Sequence, residues 1–596
     1  MRVDHKTEGP RQSMSWLHTW ASLILGWLLY AIFVTGTLSF FQNEITVWMK
    51  PELHQSVANN TQIQQTQITL NYLQKNYPDA ASWMMLLPNS RQTTTELIVR
   101  KQGEDPHARR GGERISLDSQ TGEVLTARDT RGGNFLYRFH FELYGLPRLW
   151  TRWLVGFATM LMLVAIVSGV ITHKKIFKDF FTFRSGKGQR SWLDAHNATA
   201  VFALPFHIMI TFSGLLLLMF MLMPWGINQV YSDRQEFLKD LRPQTNAQPA
   251  KPQSETRTPE HSAQNAGMHQ HPRTATNPSE QQNMQVRSGE PSSGRGRQGH
   301  GEHGPREHHE KPSQAAALAD LTPMLNYAAA QWQSNPIGSI QIIAPNTTDA
   351  TVEIKALYAE SVIARNVMPS FQFNGVTGEN TTDPQTAYRT SVPMGIYNVV
   401  TVLHEARGLD LSLRWLLFGS GILGTLMVAT GLILWCIKRA PQQQKQGYKS
   451  FGYRLVEVTN IAAIIGLPLA CAAYFYANRL LPLQLESRAE WEIRSFLMAW
   501  LFSLLYAMFR NHRQAWLELL FFSSLVYAGL PVLNFVTGGQ PLWHSIANGQ
   551  WMITSFDLMT WVLAGIFYLA NRKVKQHKGV VSKPKKVPQK PQETRL

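Results

Sequence analysis

The sequence reads as a polytopic all-α membrane protein of about eight transmembrane helices, with a duplicated four-helix core and two α+β modules inserted between its spans. Three observations predict this. Apolar residues come in span-length blocks, basic residues collect in alternate connections, and the first three quarters of the chain repeat themselves. The averages alone point elsewhere. With 596 residues, 57 Lys plus Arg against 40 Asp plus Glu, a net charge of +17 and 44% hydrophobic residues, the chain could pass for a large basic soluble protein that binds nucleic acid. Yet charged residues are only 16% of it, against roughly 25% in soluble domains, and it holds 18 Trp.

A span needs roughly 20 mostly apolar residues to cross about 30 Å of hydrocarbon. Eight stretches qualify, near 18–41, 150–172, 197–224, 412–437, 457–478, 494–510, 516–536 and 553–571, the sixth being short. The first follows Arg2, Lys6 and Arg11 but is too long for a cleaved signal and lacks a small-residue cleavage site, so it reads as an uncleaved signal anchor. The segments 1–17, 174–192, 438–454, 510–513 and 572–596 hold 25 of the basic residues and only four acidic ones, Asp4, Glu8, Asp179 and Glu593. Eight spans place those five segments on one side, so both termini are expected in the cytoplasm of a bacterial cell, with the protein in its inner membrane. The charge excess is then a topology signal, and no nucleic-acid partner is expected; the lipid bilayer is.

The domain order follows. Residues 1–41 are the cytoplasmic N-terminus and first span, 42–149 a periplasmic module, 150–224 two spans joined by a basic loop, and 225–411 a second periplasmic module. Residues 412–437 are the fourth span, 438–571 a four-span extension and 572–596 a basic tail. In the first module Thr66–Tyr77 has helical spacing, followed by strand-like runs Ala81–Pro88, Thr94–Lys101 and Arg114–Leu117 and a turn from Asp118 to Glu123. In the second, Leu318–Gln333 is followed by Ser339–Ile343, Thr351–Ile354 and Phe371–Phe373, with a turn of the same spacing from Asn374 to Glu379. Residues 243–315 are rich in Pro, Gly, Ser, Gln, Arg and His and cannot bury a core. Their seven histidines, His261, His269, His271, His300, His303, His308 and His309, read either as a loose collector of divalent or ferric ions or as a spacer.

The repeat carries the site. Trp16-Leu-His18 precedes Gly36 as Trp192-Leu and His196 precede Gly214, each Gly standing 18 residues after its His. Phe139-His140 leads to Arg152-Trp-Leu and Ser168-Gly169 as Leu403-His404 leads to Arg414-Trp-Leu and Thr430-Gly431. Ionisable residues in or beside spans are costly and are functional candidates. Six histidines qualify: His18, His140, His173, His196, His207 and His404. His196 and His207, 11 residues apart, share a helix face about 16 Å apart along the axis, a spacing that suits two haems at different depths. One haem is expected near His18, His173 and His196, the other on His207 with His404 or His140. For any one of them the ordinary role is an interfacial hydrogen bond, and the repeat is what sets them apart. His5, His54, His107, His512, His544 and His577 lack that support and read as surface residues. Cys436 and Cys471 both lie in apolar blocks, which excludes a disulfide framework or a Cys-ligated cluster. Gly419-Ser-Gly-Ile-Leu-Gly424 matches a dinucleotide fingerprint but stands in mid-span, where small residues serve helix packing.

Together Trp16-Leu-His18, Phe139-His140-Phe-Glu-Leu-Tyr-Gly145, Ser168-Gly-Val-Ile-Thr-His173, Asp194-Ala-His196-Asn197, Leu204-Pro-Phe-His207 to Gly214, and Thr430-Gly-Leu-Ile-Leu-Trp435 with Lys438-Arg439 give the chain a resemblance. It resembles the PepSY-associated transmembrane helix family, which includes ferric-siderophore reductases, and its modules are similar to PepSY domains at the turns ending Gly122-Glu123 and Gly378-Glu379. The resemblance implies a membrane oxidoreductase holding haem b, two groups by the histidine arrangement. It would pass electrons from a quinol or cytoplasmic flavin reductase to a ferric siderophore or other ferric chelate in the periplasm. The His-rich insert and the four extra spans depart from the minimal family pattern. The rival reading is a haem-free permease or assembly factor whose histidines bind a transported metal or relay protons, and whose modules bind a metal or a periplasmic protein.

Overall fold

The computed structural model describes residues 9–106, 108, 111–173, 177, 184, 186, 188–232, 314–365, 367–383 and 390–577. The seven histidines of the insert and most of the basic tail lie outside them. Six helices are long and apolar enough to span: Arg148–Thr172 (α6), Leu411–Gln446 (α11), Phe451–Leu480 (α12), Arg488–Phe509 (α13), His512–Val536 (α14) and Trp551–Gln576 (α15). Two further spans are broken. Pro10–Ile24 (α1) bends by 64° into Gly26–Ser39 (α2), and Gln189–Phe202 (α7) bends by 67° into Leu204–Leu217 (α8). Counting each bent pair once gives up to eight spans, at the expected places.

The breaks have local causes. Pro205 stands in the first turn of α8, where it lacks the N–H an unbroken helix would need and crowds the preceding turn. Gly26 opens α2, and any Cβ there would stand 2.8 Å from the Leu432 side chain. Both kinks fall seven residues after a histidine of the repeat, at Leu25 and Ala203. The straight-helix relation between His196 and His207 is therefore corrected: they sit on different halves of a broken helix. Gly421 and Gly424 press on Thr37 and Phe33 of α2, the small-residue packing expected of that motif.

The two soluble segments do not form separate modules. Their strands join one antiparallel sheet in the order β4-β3-β2-β1-β5-β6-β7: Val124–Leu125, Glu113–Leu117, Thr95–Arg100, Ser82–Leu86, Ile337–Ile343, Thr351–Ala356 and Ser370–Asn374. The seam is β1 on β5, with Ser82 opposite Ile343 and Leu86 opposite Ser339. Alternate residues on both sides of the seam, Trp83, Met85, Ile340 and Ile342, are fully buried, and they share one core with Leu73 of Gln62–Asn76 (α4) and Ala328 of Thr322–Trp332 (α9). A strand exposes alternate faces, so two half-sheets with matching apolar faces bury more area joined than apart. The two turns agree in detail. Asp118 Oδ1 accepts from Gln120 and Thr121 N–H at 2.8 and 2.9 Å, and Asn374 Oδ1 accepts from Val376 and Thr377 N–H at 2.9 Å each. Gly122 and Gly378 take φ of 76° and 77° to close them.

Two short helices fall outside the segments read as helical from the sequence. Gly133–Glu142 (α5) and Val392–Glu405 (α10) precede α6 and α11 and carry His140 and His404. Another short helix, Gln42–Trp48 (α3), lies between α2 and the sheet.

The C-terminal helices dock on the core through satisfied polar contacts. Trp48 Nε1 donates to Asp557 at 2.8 Å, Trp27 Nε1 to Asn460 at 2.8 Å, and Gln550 Nε2 to the His54 carbonyl at 2.6 Å. His54, expected at the surface, is instead buried here: its Nδ1 accepts from Gln540 N–H at 3.2 Å and its Nε2 bonds the Val47 carbonyl at 2.9 Å. Burial, with the charge of Arg479 nearby, pushes its pKa down to about 3. The unfolded chain then takes the proton first, so stability falls as pH drops from 6.5 toward 3, by ~1.4 kcal/mol per unit at most. Unfolding midpoints measured across that range should fall for the parent protein and fall less steeply for His54→Gln.

Candidate functional site

The six histidines do not act alike. His18 of α1 and His196 of α7 stand with ring centroids 6.3 Å apart, and His140 of α5 and His404 of α10 at 6.1 Å. Each Nδ1 is tied to the chain behind it. That of His18 bonds the Ala165 carbonyl at 2.8 Å, of His196 the Met427 carbonyl at 2.9 Å, and of His140 the Ile32 carbonyl at 2.8 Å. His404 Nδ1 lies 2.7 Å from Ser213 Oγ, whose own proton goes to the Met209 carbonyl at 2.7 Å. A carbonyl only accepts, so Nδ1 carries the proton and Nε2 keeps a lone pair, the tautomer that binds a metal.

The glycines of the repeat now have a reason. A Cβ on Gly36 would stand 2.6 Å from the His140 ring, on Gly169 3.1 Å from His18, on Gly431 3.1 Å from His196, and on Gly214 3.5 Å from His404. Each ring packs against a helix at a glycine, closest at Gly36 and loosest at Gly214. These four positions stand out in the sequence as repeat markers, but their role as seats for imidazoles needs the packing to be seen.

Each pair lines a cavity. The far cavity, away from the sheet, has a volume of 340 Å³ and is lined by His18, His196, His173, His207, Lys438 and Arg439 among others. The sheet-side cavity has 290 Å³ and is lined by His140, His404, Arg91, Arg152, Arg407 and Tyr137 among others. Both lie near the lower end of the roughly 300–1,000 Å³ usual for cofactor pockets. Leu29 and Met162 line both, so a single layer of side chains separates them. His207 lines the far cavity only and is fully buried, and among the described residues neither ring nitrogen has a hydrogen-bond partner. The sequence reading pairs it with His404 or His140; here those two face each other, and His207 packs edge-on to Phe33 with centroids 6.2 Å apart. Arg91 and Arg407 are further site residues that no motif marks. Arg91 forms two bonds to Glu44, at 2.9 and 2.8 Å, and Arg407 lies over the Tyr137 ring at 5.2 Å.

These pairs fit haem. Two imidazoles trans on one metal, at about 2 Å per bond, place their centroids about 6 Å apart, as both pairs do. Among the described residues no group of three or more His, Cys, Asp or Glu converges on a metal position. The donors come in twos, which suits a metal whose other ligands belong to a macrocycle.

Fold and site together define a multi-pass membrane protein with paired histidines among its spans. The model of the PepSY-associated TM region matches residues 15–438, and the chain belongs to that family. No curated protein matches the chain.

Proposed function

We propose that the protein is a dihaem membrane oxidoreductase that reduces a ferric chelate on one side of the bacterial inner membrane with electrons drawn from the other. The observation that carries this reading is the pair of histidine pairs, 6.3 and 6.1 Å apart, each with Nδ1 bonded behind it and a glycine beneath. A bis-histidine haem supplies one-electron exchange without an open coordination position. His18 with His196, and His140 with His404, would hold the two groups. Lys438 and Arg439 line the far cavity and Arg152 and Arg407 the sheet-side one, where they would hold the acidic edge of each group. Leu29 and Met162 keep the wall between them thin and dry.

The repeat-matched contacts, His18 on Ala165 beside His196 on Met427, support a core built from two fused copies. The excess of basic residues in 1–17, 174–192, 438–454, 510–513 and 572–596 supports cytoplasmic termini and a periplasmic PepSY-like sheet. In the overall reaction a quinol or reduced flavin gives up two electrons and its protons, and two ferric chelates, siderophores in this reading, each take one electron. Fe(II) is then released because hard oxygen donors hold it less tightly than Fe(III).

The visible spectrum of the purified protein tests this reading. Reducible b-type absorbance with two haems per chain is expected, and a colourless preparation would favour the haem-free permease. His207→Leu should keep both haems, because the structure gives His207 no histidine partner; a haem count of one would return it to the ligand set.

A further inference from the structure

The family match ends at residue 438, and of the helices that follow, α12 and α13 grip the segment around α5. The segment is held at both ends. Before the helix, Arg128 donates to the Asn478 carbonyl at 2.7 Å, Arg488 to the Asp129 carbonyl at 3.0 Å, Thr130 Oγ1 to Glu492 at 2.6 Å, and Tyr474 OH to the Gly132 carbonyl at 3.0 Å. After it, the Tyr144 hydroxyl donates to Glu490, which also pairs with Arg131 at 3.0 Å. Between these ends Phe135 packs on Tyr474 and Phe496 at 5.0 and 5.2 Å, and Phe139, the neighbour of His140, packs on Phe496 and Trp500 at 5.4 and 6.0 Å.

The backbone shows what this grip holds. Leu143, closing α5, has φ 56° and ψ −161°, a region that suits glycine and persists at other residues only when the surroundings enforce it. Left to itself the segment would relax, and His140 would turn with it. The repeat-matched His404 is held by other means: Asn398 donates to the Ile363 carbonyl at 2.6 Å, and Arg365 pairs with Glu405 at 3.2 Å. Glu492 is the hub of the grip. It is fully buried and takes Thr130, Asn478 and Arg488 together, so it loses a partner if any one of them moves.

We propose that the C-terminal four-helix unit is a clamp that positions His140, and that Thr130, Glu492 and Phe496 are its positioning residues. The proposal rests on the dihaem reading and assigns the grip on α5 to the sheet-side group. The matched region supplies all four ligating histidines, and the extension sets the geometry of one.

The test is a redox titration of the full-length protein followed at the reduced absorbance band, with the sheet-side component identified as the one lost in His404→Ala. Glu492→Ala and Phe496→Ala are expected to shift or deplete that component and leave the far component at full amplitude and unchanged midpoint. Thr130→Val, which removes one hydroxyl, should do the same to a smaller degree. Glu492→Gln, which keeps an acceptor for Thr130, should restore most of the parent behaviour. The far component serves as the internal measure of folding. Equal change in both components across the three variants, or change in neither, overturns the clamp. Absence of both components from the parent protein overturns the dihaem reading instead.

Discussion

His196→Ala is expected to halve the haem content, from two b-type groups per chain to one, and to leave the remaining group's spectrum unchanged. The expectation follows from how separately the two pairs are built. His196 leans on the Met427 carbonyl of α11 and faces His18 on α1, whereas His140 and His404 lean on Ile32 and Ser213 of the other half-helices. The kinks at Leu25 and Ala203 divide each broken span into a first half that carries a far-cavity histidine and a second half that backs a sheet-side one. Loss of His196 leaves His18 without its facing imidazole at the far cavity and leaves the His140–His404 pair intact. A pyridine haemochrome count against protein concentration reads the result directly. Complete loss of haem would mean that the two cavities depend on each other, contrary to this division.

Alanine at the four seat glycines should give a graded series. At Gly36 the new methyl would stand 2.6 Å from Cε1 and Nδ1 of His140, about 1 Å inside ordinary contact. The backbone of α2 is packed on both sides, so the imidazole must yield and give up its 2.8 Å bond to the Ile32 carbonyl. Gly36→Ala is therefore expected to deplete the sheet-side haem. At Gly214 the same methyl meets His404 at 3.5 Å, an ordinary contact, and Gly214→Ala should keep both groups. Gly169→Ala and Gly431→Ala, at 3.1 Å, should fall between, with weakened retention of the far group. Haem retention on dilution orders the four, and the same loss at Gly214 as at Gly36 would refute the steric account.

Much of this architecture is legible in the sequence because membranes impose simple rules. Spans show as apolar blocks, and strands such as Thr95–Arg100 and Thr351–Ala356 show as alternation. The four paired histidines are legible through the repeat. Their partnership is not, because it depends on a kink: a helix that turns by 67° at Ala203 cannot be treated as a straight cylinder carrying His196 and His207 on one face. In α5 the helical spacing of Phe135, Leu136 and Phe139 is present, but the sequence does not say that this apolar side faces helices more than 300 residues later. The joining of two half-sheets is likewise invisible, since an edge strand and a central strand carry the same alternation.

The seam of the sheet also bears on how the chain is made. Leu86 waits for Ser339, more than 250 residues further on. At about 5–20 residues per second of synthesis, the first half-sheet is on its own for roughly 10–50 s, with the row of Trp83 and Met85 unpaired. A nascent edge of that kind invites the wrong neighbour, including the same edge on another ribosome's product. Biogenesis of this protein therefore has a vulnerable interval written into its strand order, closed only when the second half has been threaded and β5 arrives.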